Sequence, residues 1–171
     1  MQHRRSPQWD PTGILSTTAS ALQPATGAPR LPGVSGLLAP IEASLDLAAA
    51  RGGDLTSMVY ARLFAAHPEM EAMFVRDQDG AVRGQMLFQV FDAILDFAGP
   101  RRFAANLVRT ELVNHDSFGV PPAVFAIFFK TVRDTVREVT ADDWTPDMDI
   151  AWRTLLTDLA DLVAAQSAEI A

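Results

Sequence analysis

Cysteine is absent from all 171 residues. That excludes disulfides, thiol nucleophiles and thiolate metal ligands. It fits a reducing compartment without proving one. Basic charge is also in short supply: 14 Lys and Arg stand against 21 Asp and Glu, for a net charge of −7. A phosphate backbone is read by a basic surface, so no nucleic-acid partner is expected. No apolar run approaches the roughly 20 residues that span a bilayer, so no membrane partner is expected either. His3, Arg4 and Arg5 are not followed by an apolar stretch, because Gly13-Ile14-Leu15 gives way at once to Ser16, Thr17 and Thr18. No secretory signal is expected, and the cytoplasm is the default location. Convincing strand alternation and internal repeats are missing too.

What is present is apolar and helical. Hydrophobic residues make up 49% of the chain, enough for one sizeable core at this length. Residues 1–36 are rich in Pro, Ser, Thr, Gly and Ala and lack periodicity, which predicts a mostly disordered N-terminal extension. Residues 37–171 then form the folded domain.

Within it, Leu38, Ile41, Leu45 and Ala48 or Ala49 make a helical stripe stopped by Gly52-Gly53. Asp54 is an N-cap candidate for a helix carrying Leu55, Met58, Val59, Leu63 and Phe64, with Tyr60, the only tyrosine, among them. His67-Pro68-Glu69 reads as a break and restart, because proline disfavours helix in the residue before it. A short helix to Phe74 and a turn at residues 77–80 follow. Met86, Leu87, Val90, Phe91, Ile94 and Phe97 form a long helix ending at Gly99-Pro100. A further helix runs from Pro121 to about Val139. Thr145-Pro146 opens a last one, to about Ala168, with Ile150, Leu155, Leu159 and Leu162 inward and Trp152 in the packing. The expected fold class is all-α, with six or seven helices, the fifth and sixth short or abruptly ended near His115.

The most informative stretch is residues 101–120, RRFAANLVRTELVNHDSFGV. Phe103, Leu107 and Leu112 recur at helical spacing beside Ala104 and Val108, and His115 closes the pattern before Asp116, Ser117 and Gly119 break it. A histidine at a helix end commonly caps its own helix. It is also a ligand for iron, copper or zinc. His3 and His67 are the only other histidines, and neither stands at ligand spacing from His115. Tetrahedral zinc wants about four protein ligands, whereas haem needs one strong axial ligand and a large apolar slot. This sequence is short of ligands and rich in apolar helix faces.

From Leu37 to about Val163 the chain resembles a bacterial globin, most like the haem domain of flavohaemoglobins and single-domain bacterial haemoglobins. The resemblance rests on VYARLFAAHPEMEAMF at residues 59–74, on NHDSFGV at 114–120, and on Ala151-Trp152 with the apolar spacing that follows. It implies a globin fold around haem b, with His115 as the single protein ligand of the iron. It implies Tyr60 on the distal side, donating a hydrogen bond to bound ligand, and Phe74 stacked on the porphyrin edge. Leu87, 28 residues before His115, falls at the position lining the distal pocket. Arg83 lies one turn earlier, where close relatives usually carry glutamine, and faces the same pocket; it swings out to a haem propionate, reaches an anionic ligand, or is simply solvated. Gln85 points elsewhere in that register. Val120, Phe125 and Phe128 or Phe129 are proximal-wall candidates. Two departures stand out: Phe125 occupies the place of a family tyrosine, and no glutamate matches its partner. His115 is then a more neutral ligand, bonded to a backbone carbonyl, which weighs against strong oxygen activation.

The function so implied is reversible binding of a diatomic gas (dioxygen, nitric oxide or carbon monoxide) at a five-coordinate iron. Nitric oxide dioxygenation is the accompanying reaction, and because no flavin and nicotinamide reductase domain is expected before Ala171, a separate electron donor would drive it. A haem-based gas or redox sensor acting through a protein partner is the alternative, and a globin-like module without haem is a third.

Overall fold

The computed structural model describes residues 36–170, and the expected N-terminal extension, save Gly36, lies outside the described residues. Among the described residues seven α-helices follow one another: α1 Leu38–Gly52, α2 Thr56–Ala66, α3 Pro68–Glu71, α4 Ala81–Ala98, α5 Ala104–Ser117, α6 Pro122–Thr140 and α7 Pro146–Ile170. Short 3₁₀ turns, Ala72–Phe74 and Ala141–Asp143, follow α3 and α6. There is no strand among the described residues, so the all-α expectation holds.

The helix boundaries follow from local chemistry. Gly53, at φ 62°, ends α1 in a conformation that a side chain would strain. Asp54 accepts the Thr56 N–H at 2.9 Å and starts α2. Pro68 and Pro122 sit at first helical positions, where no N–H is needed. Thr145 Oγ1 accepts the Met148 N–H at 3.2 Å and caps α7.

Two buried aspartates do more than cap. The Asp77 carboxylate accepts the N–H groups of Val82 and Arg83, and thereby fixes where α4 begins. Asp96, near the end of α4, accepts the N–H groups of Arg102, Phe103 and Ala104 at 2.8–3.0 Å and so anchors the start of α5. Burial pushes the Asp96 carboxyl up, but these three donors outweigh it and hold it below the ordinary aspartate range.

α1 packs across α6 and α7, α2 across α6, and α5 against α4, α6 and α7. Ile41, Val59, Ile94, Leu112, Val132, Val136, Trp152 and Leu155 are fully buried where these helices meet. Each large apolar side chain so placed contributes roughly 1.5–3 kcal/mol. Trp152 donates its indole N–H to Ser44 Oγ at 2.9 Å, and Ser44 in turn donates to the Ile41 carbonyl, so the largest core residue leaves no polar atom stranded.

Three expectations need correction. Phe103 and Ile150 are 47% and 57% exposed, not inward. Phe103 precedes the first turn of α5, so the buried stripe of that helix starts instead at Ala104 and continues through Val108 and Leu112. Nor are the fifth and sixth helices short: α5 has 14 residues and α6 has 19, although α5 does end abruptly at Ser117, just past His115.

Candidate functional site

Side chains from α2, α4, α5, α6 and the segment around Phe74 enclose a cavity of about 590 Å³. That lies within the roughly 300–1,000 Å³ of small-molecule sites. Most of its wall is apolar, with Met70, Val90, Leu107, Val108 and Phe128 among its members. Into this wall the fold sets a tyrosine and a histidine.

Tyr60 projects from α2 and is 1% exposed. Its ring lies among Phe64, Phe74 and Phe128, with centroids 5.3–5.7 Å away. Its hydroxyl is buried and has no hydrogen-bond partner. An orphaned buried donor costs about 1–3 kcal/mol, which is unusual unless something else occupies the site. Burial pushes its pKa well above the usual phenol range, against a smaller pull from the Arg83 charge that the Asp77 charge partly offsets. The hydroxyl is therefore a standing proton donor at neutral pH.

His115 lies in the last turn of α5. Its Nδ1 is 2.7 Å from the Glu111 carbonyl one turn back. A carbonyl only accepts, so Nδ1 carries the proton and Nε2 keeps its lone pair. Phe125 meets the imidazole edge-on at 5.1 Å. The chain beyond His115 is shaped by a helix-ending turn. Val120 N–H returns to the His115 carbonyl at 3.0 Å and Gly119 N–H to Asp116 at 2.9 Å, with Gly119 at φ 79°. This paired closure needs the glycine and folds Val120 back beside His115. Both residues line the cavity.

The structure thus brings Tyr60, Phe74, His115, Val120 and Phe125 to one cavity, with Phe128 and Phe129. Leu87 and Arg83 are not on its wall. Leu87 is 2% exposed within the helix core. Arg83 is clasped to Asp77, with Nε 2.9 Å from Oδ2 and Nη2 2.9 Å from the carbonyl. The α4 residues that face the cavity are Val82, Met86, Gln89, Val90 and Ala93, one position before those expected. The interval from Met86 to His115 is 29 residues, against 28 from Leu87. One residue turns a helix by about 100°, enough to move a side chain from wall to core. Gln85 is exposed and off the wall. Sequence reasoning missed Met86, Gln89, Arg76 and Glu111, all of which line the cavity. Met86, Gln89, Val90 and Ala93 do recur at helical spacing, but so do Leu87, Val90, Phe91 and Ile94.

The Globin family profile matches residues 57–163. The chain belongs to the globin family. A curated relative of this globin, the Flavohemoprotein of Rhizobium meliloti (strain 1021), is 25% identical over 132 residues, covering 76% of this chain and 32% of the relative. The chain therefore spans about a third of that relative's length. No solved structure matches.

Globins carry haem, and haem, in its usual b form, is the cofactor of this chain. The donor set fits it. There is one imidazole with a free nitrogen, a mainly apolar slot and a single orphaned hydroxyl. No cluster of three His, Asp or Glu that would hold a bare metal ion exists among the described residues. No helix of the described residues is long and apolar enough to cross a membrane.

Proposed function

We propose that this globin reversibly binds a diatomic gas, dioxygen foremost, with His115 as the iron ligand and Tyr60 as the donor to the bound gas. Haem supplies the ferrous centre at which such a gas is held. Everything else is supplied by the chain. His115 presents Nε2, its ring oriented by the Glu111 carbonyl and flanked by Phe125. Phe74 and Val120 belong to the same wall and provide apolar contact for the macrocycle. The observation that carries the reading is the Tyr60 hydroxyl, buried without a partner in the cavity that His115 also lines. A hydrogen bond from it to a ligand with developing negative charge is worth roughly 1.5–3 kcal/mol.

The surroundings of His115 favour reversible binding over oxygen activation. Its Nδ1–H is given to a neutral carbonyl, and Phe125 has no hydroxyl to join a polar chain behind the ring. Nitric oxide dioxygenation is thereby the lesser activity. Because the relative's name couples flavin with haem, a flavin reductase, linked or separate, is the proposed electron source. Absorption spectra of the ferric, ferrous and carbonyl forms of hemin-reconstituted protein test the whole reading. A Soret band moving as expected for a histidine-ligated haem supports it, and a colourless preparation ends it.

A further inference from the structure

Four charged or chargeable groups besides Tyr60 line the cavity: Arg76, Asp77, Glu111 and His115. Asp77 is neutralised by Arg83. Glu111 carries its carboxylate 3.8 Å from His115 Nδ1. Arg76 alone among them has no ion pair or hydrogen bond to its guanidinium, and it is exposed. Its backbone is nonetheless held, because Asp77 N–H closes a turn onto the Phe74 carbonyl at 2.9 Å and both of those residues line the same cavity. A free cation is therefore fixed at the rim of an otherwise mainly apolar slot. Resting on the haem reading above, we propose that Arg76 anchors a propionate carboxylate of the cofactor, the role that Arg83 cannot fill while clasped to Asp77.

The chemistry is direct. A propionate left unpaired against an apolar wall is costly, so the carboxylates belong at the mouth. Glu111, an unneutralised anion on α5, repels them from its side of the cavity, and Arg76 attracts them to its own. A guanidinium presents parallel N–H donors that match a carboxylate edge. The pair is exposed, so its contribution is modest.

Transfer of hemin from the full-length holoprotein to excess albumin, followed at the Soret band, reads this out. Arg76→Gln should speed transfer about two- to fivefold, and Arg76→Lys should restore much of the retention. With hemin dimethyl ester, which has no free carboxylate, wild type and Arg76→Gln should transfer at equal rates. Hemin transfer at the wild-type rate from Arg76→Gln overturns the assignment. So does equal acceleration of hemin and its ester, which would mark a merely structural residue. Wild-type protein with no histidine-type Soret band would instead overturn the haem reading itself, and this assignment with it.

Discussion

His115 gives its Nδ1 proton to the carbonyl of Glu111, 2.7 Å away on the same helix. One bond thereby sets both the ring's rotation and its tautomer, and leaves Nε2 as the only nitrogen with a lone pair. The Glu111 carboxylate stands further off, at 3.8 Å. The imidazole is consequently held by a neutral acceptor from its own helix.

Replacing His115 by alanine removes the one imidazole on the cavity wall. His115→Ala protein reconstituted with hemin should lose the normal position and intensity of the Soret band. An unchanged spectrum would transfer the ligand role to another residue.

Tyr60→Phe separates the two consequences of an orphaned hydroxyl. Without cofactor, removal deletes an unsatisfied buried donor, so the chemical-denaturation midpoint of the apoprotein should stay the same or rise. With cofactor and gas, dioxygen dissociation should quicken about 10- to 100-fold, the equivalent of losing roughly 1.5–3 kcal/mol. A stopped-flow dissociation rate equal to wild type would take Tyr60 out of the gas site.

Met86→Ala and Leu87→Ala test the register of α4. Leu87 is core, so its truncation should cost about 2–5 kcal/mol of stability with little change in carbon monoxide rebinding after photolysis. Met86 is on the wall, so its truncation should alter rebinding with a smaller stability loss. The reverse pattern would return Leu87 to the cavity.

Asp96 links acid stability to the helix that carries His115. Its folded-state carboxyl lies below the ordinary aspartate value of about 3.9. The stabilisation is therefore complete above that unfolded value and disappears as pH falls through the folded one. Asp96→Asn should cost roughly 1–2 kcal/mol at pH 7, and the gap to wild type should close below about pH 4. Urea midpoints measured from pH 7 to pH 3 check this, and a gap that persists in acid would refute the capping account.

Much of this arrangement was legible without coordinates. Pro68, Pro122, Gly53, Gly119 and Thr145 place helix ends by local rules that hold whatever lies nearby. Those rules also predicted the break at His67 and the helix start after Thr145. The exposure of Phe103 and Ile150 was not legible, because apolar spacing does not say which residues a neighbouring helix covers. The register of α4 escaped for a similar reason. Residues 86 and 87 both belong to apolar stripes; the Asp77 carboxylate, accepting from the Val82 and Arg83 N–H groups, holds the start of α4, and packing against the other helices sets which stripe meets the cavity.

The amino-acid order by itself determined the elements: an all-helical domain, the punctuation between its helices, and a histidine in the last turn of one of them. Those outcomes depend on period, propensity and turn chemistry within a few residues. Tertiary structure decided which faces meet. It stranded the Tyr60 hydroxyl, engaged Arg83 with Asp77, left Arg76 free at the rim, and turned Met86 rather than Leu87 toward the cavity. The Asp77–Arg83 clasp spans only six residues, but the surroundings of Tyr60 and the facing of Met86 depend on how helices distant in sequence rotate against one another, and a rotation of about 100° per residue is beyond what a local pattern resolves.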